Sequence, residues 1–421
     1  MTDTLQAAMP QKADAEQTDG KPNVLGGRPI PPLWLLALIT FSGTLAMHIF
    51  VPVLPLAGQS LDANPAQMQL TISFYILGLA CGQLFYGPLS DRHGRRPVLL
   101  AGLAVYLVAS VIALASPDIH TLLGARLLQA LGGCAGMVIG RAVVRDTSTT
   151  EEATRRLALM NLMVTIGPGF APVLGAILGD IAGWRSIFVF LCLLGLANSL
   201  LTWKLLPETA RKTADQTAGL VLKNYLNLLR TPAFLGYAIG GSCATTSFYA
   251  FVSAAPFIFG TQLNRPSHEI GIYLGILILG YWLGSLIASR LAGRVSVPKL
   301  LRSNILSLAA ALYLLVTAMT GHLTVITVML PMFIYTIGGG IASPAALAEA
   351  ISVNPRVAGS ASGLYGFFQM AVGAIATALA GLGEDHTLTA SSVVVVACLL
   401  SQVCFAVANR AARRRADYIS S

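Results

Sequence analysis

Two side chains able to carry charge stand inside long apolar runs. His48 lies in TLAMHIFVPVLP, within a run from about residue 33 to 55, and Arg126 lies in GARLLQALGG, within a run from about 120 to 141. An imidazole has an unperturbed pKa of about 6.5, so it can load and release a proton near neutral pH. A guanidinium keeps its proton, so Arg126 can serve only as a fixed charge or a hydrogen-bond donor. Ionisable groups in a membrane-length apolar run are costly and mark functional positions by default. The plainer alternatives are a neutral His48 bonded to a nearby hydroxyl or carbonyl, and an Arg126 that is purely structural. Carboxylates avoid the middles of these runs. Asp180 and Glu349 stand near run ends, and His93, His120, His268, His322 and His386 fall in loops or at run ends.

The elements that must position these groups follow from composition. The chain has 421 residues, 55% of them hydrophobic and 11% charged, with a mean hydropathy of +0.71. A soluble domain carries about 25% charged residues. So few charges cannot cover a water-facing surface, and the chain reads as an all-α multi-pass membrane protein. About 20 apolar residues cross the hydrocarbon core as a helix. Twelve runs qualify, at roughly 33–55, 67–88, 97–116, 120–141, 157–180, 185–206, 233–259, 270–293, 300–320, 323–347, 358–382 and 388–409. Of the 27 Lys and Arg residues, 24 fall in segments on one side, Arg185 and Arg265 fall on the other, and Arg126 lies within a run. The positive-inside rule puts the basic side, with both chain ends, in the cytoplasm.

The expected layout is a disordered cytoplasmic tail (1–32), a six-helix bundle (33–206), a cytoplasmic linker (207–232), a second bundle (233–409) and a cytoplasmic tail (410–421). The polar first 27 residues have no apolar h-region and do not read as a signal peptide. Six cysteines sit in apolar runs as small hydrophobes. No Cys/His spacing suggests zinc, and no glycine-rich phosphate loop is present, so neither metal nor cofactor is expected. The net charge of +9 is accounted for by topology and anionic lipid, without nucleic acid.

Between the second and third runs stands GPLSDRHGRRPVLL, residues 87–100, read as a short loop. Gly87 would let helix 2 approach a neighbour, Gly94 would permit a tight turn, and Asp91 could cap a helix or pair with an arginine. The run resembles the signature G-x-L-x-D-R-x-G-R-R/K of the major facilitator superfamily, with Gly87, Asp91, Arg92, Gly94, Arg95 and Arg96 in place. ARLLQALGG resembles that family's R-x-x-Q-G motif through Arg126 and Gln129, with Ala130 where Gly is usual. Gly132, Gly136 and Gly140 in the same run are spaced for close helix packing. GPGFAPVLGAILG, residues 167–179, is similar to the antiporter motif through Gly167, Pro168, Pro172 and Gly175; a bend at Pro168 is expected. GWRSIF, LPET, FYAFVSAAPFIF and AGSASGLYGFFQ are similar to segments of bicyclomycin-resistance-type multidrug exporters, the Bcr/CflA subfamily. A decayed copy of the first signature, ASRLAGRVSVPKLL, follows the eighth run.

The resemblance implies two pseudo-symmetric six-helix bundles around a cavity open to one side at a time. It implies that Asp91, Arg92 and Arg95 brace the halves at the cytoplasmic face when the cavity is open outward, with Arg141 the expected partner of Asp91. Relatives carry an acid where this chain has His48, so His48 and Arg126 are the expected proton-coupling pair. The implied cavity wall supplies Phe50, Tyr75, Gln129, Phe248, Tyr249, Phe251, Tyr281, Trp282, Tyr335, Tyr365, Phe368 and Gln369. Aromatic, mostly uncharged walls suit hydrophobic or amphipathic solutes. The function expected is proton-coupled export of drug-like molecules by a monomer in the bacterial inner membrane, and not enzymatic catalysis. Transport of one metabolite, such as a sugar or nucleoside, and ligand sensing without flux are the alternatives.

Overall fold

The computed structural model describes residues 24–25, 28–29, 31–210, 218–291, 294–295, 297–354 and 357–420. The expected disorder of residues 1–32 lies largely outside the described residues, where a two-residue antiparallel pairing, Val24–Leu25 with Arg28–Pro29, is the one described feature before residue 31. From Leu33 onward the described chain is helical. The first half holds α1 (Leu33–His48), α2 (Leu54–Ser60), α3 (Pro65–His93), α4 (Arg95–Leu114), α5 (Ile119–Asp146), α6 (Thr150–Ala182) and α7 (Arg185–Leu205). A 12-residue helix, α8 (Ala218–Leu229), crosses to the second half. There follow α9 (Pro232–Thr246), α10 (Phe248–Phe257), α11 (Ser267–Leu291), α12 (Val297–Arg302), α13 (Asn304–Thr320), α14 (Val325–Ser352), α15 (Ala358–Ala380) and α16 (His386–Ser420). Eleven membrane-length apolar segments occur among the described residues, counting α1–α2, α9–α10 and α12–α13 as single spans. With α6, whose apolar stretch Gly167–Ala182 is described, the span count is twelve.

Local sequence explains where the spans begin. Asn64 and Gln67 form a reciprocal capping box ahead of α3, Asp118 caps α5, Thr149 caps α6, and Thr324 with Thr327 boxes the start of α14. Two spans are broken at equivalent places. The first unwinds after His48 into a short 3-10 turn, Val51–Val53, because Pro52 and Pro55 have no N–H for the carbonyls one turn back. The seventh is interrupted at Ser247 and ends in a π turn, Ile258–Gln262.

The two halves repeat one packing plan. α5 packs on α1, α3 and α4 in the first half, and α14 packs on α9, α11 and α13 in the second. Across the halves, α3 lies on α15 and α6 on α11, again a symmetric pair. The glycines predicted to pack helices closely do so in α5: an added Cβ at Gly132 would meet the α4 backbone at Tyr106, and one at Gly136 would meet the Ile39 carbonyl of α1.

The core forks. Toward the loop joining α3 and α4 it splits into two clusters, one around Leu36, Leu99 and Val143 of the first half, the other around Phe234, Leu301 and Phe405 of the second. Toward the other face one continuous cluster joins the halves through Phe50, Phe188, Phe251 and Phe259. Below, the forked end, which carries most of the Lys and Arg residues, is the basic face; the joined end is the opposite face.

Candidate functional site

Between the halves lies a cavity of about 310 Å³. It sits at both helix breaks. α1 contributes Thr44 and His48; α9 and α10 contribute Thr245, Thr246, Phe248 and Tyr249. Pro168 of α6, Ile278, Tyr281, Trp282 and Ser285 of α11, Ser343 of α14 and Gln369 of α15 complete the wall. Among the described residues no carboxylate, lysine or arginine lines it.

His48 is 4% exposed, and its Nδ1 lies 2.8 Å from the Thr44 carbonyl oxygen, where an Nδ1–H donates. That bond leaves Nε2 as the free base of the ring. The Tyr249 ring stands 6.0 Å away, tilted. The hydrogen-bonded neutral imidazole and a proton site facing the cavity are therefore compatible, since different ring nitrogens serve them. Gln369 is anchored by its Nε2 donating to Thr245 Oγ1 at 3.3 Å, and its backbone carbonyl accepts from Thr246 Oγ1 at 2.7 Å. Tyr281 Oη donates to the Thr245 carbonyl at the α9 break.

Arg126 does not line this cavity. It is fully buried inside the first half, with Nη1 donating to Gln129 Oε1 at 2.6 Å and Gln129 Nε2 donating to Ser110 Oγ at 2.8 Å. Its guanidinium lies 4.1 Å from the Tyr75 ring centroid and 5.4 Å from that of Phe50. Among the described residues no carboxylate pairs with it. Ring faces carry partial negative charge, so these two rings offset part of the desolvation of the cation.

The other expected wall residues divide. Phe248, Tyr249, Tyr281, Trp282 and Gln369 line the cavity. Phe50, Tyr75, Phe251 and Tyr335 are packed in the continuous core instead, Tyr75 donating to the Gly43 carbonyl at 2.8 Å and Tyr335 bonding Ser247 at 2.8 Å. Tyr365 and Phe368 belong to the second-half cluster, and Gln129 is occupied by Arg126. Thr44, Thr245, Thr246, Ser285 and Ser343 were not anticipated. Hydroxyls in membrane helices commonly bond the carbonyl a turn back, so nothing in their type announces a cavity.

In the antiporter motif, α6 runs through Pro168 and Pro172 without a helix end. Gly167 faces the Phe41 ring, and an added Cβ at Gly175 would overlap the Ile49 carbonyl beside the α1 break. The motif thus seats α6 against the broken span. Across the halves, an added Cβ at Gly271 of α11 would stand 2.9 Å from the Pro172 carbonyl, so small residues let α6 and α11 touch backbone to backbone. Near the opposite face Ser253 Oγ of α10 donates to Gln69 Oε1 of α3 at 3.3 Å, a hydrogen bond joining the two halves.

At the basic face the halves enclose a second space of about 670 Å³, lined by Asp91, Arg95, Arg141, Arg145 and Asp146 on one side and by Tyr225, Ser360, Ser362 and Gly363 on the other. The signature is not a loop. α3 stays helical to His93, and the turn is Gly94 alone, at φ +99°, a conformation that favours glycine. Asp91 pairs with Arg95 one turn on, at 2.5 Å, and not with Arg141 as expected. Arg95 also donates from Nε to Asp146 of α5 at 2.8 Å and from Nη1 to Ser90 Oγ at 2.7 Å. The pairing seen in this state has a simple physical cause. Arg95 is largely buried and draws in the two nearest carboxylates, while Arg141 and Arg145 repel one another on the cleft wall. Gly87 does not mediate a close approach either, since nothing lies within 4 Å of an added Cβ there. Arg92 is exposed.

Glu208, in the LPET segment after α7, was missed as a functional residue. Its carboxylate accepts from the backbone N–H of Arg95 at 2.8 Å and of Arg96 at 3.2 Å, so it caps α4 in place of the side chain that Gly94 lacks. Arg96 in turn donates to the Trp203 carbonyl at 2.6 Å.

Two pseudo-symmetric helical halves, a cavity at their broken spans and a fork toward one face define a multi-pass membrane transporter. The sequence model described as Major Facilitator Superfamily matches residues 36–377, and the chain belongs to that family. It is 30% identical to an uncharacterized MFS-type transporter of Bacillus subtilis, over 91% of this chain and 96% of the relative. It is 32% identical to a chloramphenicol resistance protein of Pseudomonas aeruginosa, over 79% of each chain. A bicyclomycin resistance protein homolog of Haemophilus influenzae is 24% identical over 87% of this chain and 93% of its own. Among solved structures, a D-xylose–proton symporter shares the fold at a TM-score of 0.69, with 14% identity over 88% of this chain and 96% of that one.

Proposed function

We propose that this chain exports hydrophobic or amphipathic drug-like molecules, driven by protons, by alternating access across the bacterial inner membrane. The observation that carries the reading is the cavity wall: aromatic rings, hydroxyls and one amide, with His48 the one imidazole among its described lining residues. Such a wall suits apolar solutes of varied shape and offers a sugar few fixed hydrogen-bond donors. Relatives named for chloramphenicol and bicyclomycin resistance favour the same class.

The basic face is cytoplasmic by the positive-inside rule. The fork in the core then corresponds to an inward-facing state, with the opposite face held shut by Gln69–Ser253 and the apolar packing around Phe251. In the outward-facing state the basic cleft closes. Asp91 and the start of α15 line that cleft from opposite walls. α15 begins with no side-chain cap, so its free N–H groups attract an anion, and Asp91 is the carboxylate placed to approach them. Arg95 and Asp146 hold Asp91 ready within the first half.

His48 takes a proton at Nε2 from the external side, and the charged ring favours the inward-facing state, where the proton leaves and solute enters. A proton crossing about 150 mV supplies roughly 3.5 kcal/mol, enough for a solute gradient of a few hundredfold. The test is flux in proteoliposomes under an imposed pH gradient, with a panel of dyes, antibiotics, a pentose and a nucleoside. Uphill movement of the dyes or antibiotics is expected, and His48→Gln should abolish it while leaving downhill exchange. Uphill export at wild-type rate in that variant would sink the role of His48. Selective flux of the sugar or nucleoside would favour a metabolite carrier. Binding without any flux would favour a sensor.

A further inference from the structure

We propose that the second half carries a binding site for one anionic phospholipid headgroup at its outer rim, in the leaflet of the basic face. The site is a crevice of about 220 Å³ between α12 and α16, separate from the central cavity and from the signature cleft. Residues 402, 405, 406, 409 and 410 of α16 recur at helical spacing, so they share one face, and that face forms one wall. Pro298, Leu301 and Arg302 form the other.

The chemistry of the lining is one-sided. Arg302 and Arg410 bring two guanidinium groups, and neither is in an ion pair among the described residues. Asn409 Oδ1 already accepts from Tyr237 Oη at 2.9 Å, so its Nδ2 remains as a donor. Gln402 Nε2 is buried without a hydrogen-bond partner. Among the described residues no carboxylate lines the crevice. Guanidinium forks and amide donors around an apolar floor of Leu301, Phe405 and Ala406 match a phosphate ester joined to a hydrocarbon.

Position decides between a lipid and a free anion. α13 and α16 make their main packing contacts within the second half, on the molecule's perimeter. Above the crevice α16 presents an exposed apolar stripe, Leu399, Leu400, Val403 and Val407, and α13 presents Ile305 and Leu306. Acyl chains cover such a stripe in a bilayer, which leaves the headgroup level with Arg302 and Arg410. Basic pockets between membrane helices are of the kind that bind anionic headgroups.

The experiment is native mass spectrometry of the full-length protein in non-ionic detergent, titrated with dioleoyl phosphatidylglycerol or with phosphatidylcholine of the same chains. The wild type should bind one phosphatidylglycerol at least about tenfold tighter than phosphatidylcholine. Arg302→Gln with Arg410→Gln should weaken that binding about thirtyfold, roughly fivefold per lost charge. Lysine at both positions should keep most of it. Arg290→Gln with Arg294→Gln, on the same face but outside the crevice, should change nothing. Should the double glutamine variant fail to fold, Asn409→Asp, which sets a carboxylate against the phosphate, should also lower the affinity. Equal binding of the two lipids by the wild type would overturn the proposal, as would undiminished binding by the double variant. Displacement of the lipid by millimolar inorganic phosphate would overturn it too, since the site would then serve a free anion.

Discussion

Replacing Glu208 tests whether the start of α4 depends on a carboxylate 113 residues away. The helix begins at Arg95, after a glycine that has no side chain to offer its first N–H groups. Glu208 takes two of them, at 2.8 and 3.2 Å, and also accepts from its own neighbour, Ala210 N, at 2.8 Å. Losing an N-cap side chain costs about 0.5–2 kcal/mol. Glu208 is exposed, so water can replace part of what is lost and the dipole share is screened. The lower half of that range applies, at most about 1 kcal/mol for Glu208→Ala. Glu208→Gln keeps an acceptor oxygen and loses the charge, and should cost about half as much. In a chain of 421 residues this lowers the melting temperature by about 1–2 °C for alanine and less for glutamine. The assay is intrinsic tryptophan fluorescence during thermal unfolding in detergent, with Trp203 close by as a reporter. An alanine variant as stable as the wild type would refute the capping role. Equal losses in the two variants would refute the share assigned to hydrogen bonds.

Two further expectations concern stability. Gly87→Ala should leave the fold intact or stabilise it by up to about 1 kcal/mol, because the position is inside a helix with no atom within 4 Å of the new Cβ. Gly175→Ala should destabilise strongly or reduce the folded yield, since its Cβ would overlap the Ile49 backbone; fluorescence-detected chromatography of both variants reads the contrast. Asp118 caps α5, and the hydrogen bonds from Thr121 N–H and hydroxyl hold its carboxyl below the usual range. A lowered pKa means that its contribution is present above the unfolded value and is lost as pH falls below about 4. Asp118→Asn should therefore flatten the melting temperature across that window, and an unchanged pH profile would contradict the assignment.

The spans were legible because membrane burial rewards a single property, sustained apolarity, which any window of the sequence reports. The first of the two breaks had a local signal, since Pro52 and Pro55 stand about one and two turns past His48, where the helix ends. The linker was less legible. A stretch read as polar spacer contains α8, whose apolar residues fall on one side at helical spacing within only 12 residues. Residue identity also could not say which aromatic faces solute. Phe50 is two positions from His48 on the same span, yet the helix break turns it into the core against Phe188, with ring centroids 5.2 Å apart. Tyr249 and Trp282 differ from Phe251 and Tyr335 by their rotation about the helix axis, and that is fixed only when the halves dock.

The pairing within the signature shows the same limit at closer range. Asp91, Arg95 and Arg141 all belong to segments that meet at the basic face, and sequence allows either arginine to take the aspartate. Distance along α3 and α4 decides it: Arg95 is one turn from Asp91 and reaches Asp146 as well, so a single buried guanidinium satisfies two carboxylates. Arg141 and Arg145 are left facing the cleft, their positive charge in no ion pair among the described residues. On the proposed cycle that charge has a use, because it lines the path by which the cleft closes on the uncapped start of α15. Positive wall and positive helix end oppose one another, and Asp91 is the carboxylate that lets them approach. Removing its charge by Asp91→Asn should therefore slow transport per folded protein while leaving the melting temperature nearly unchanged.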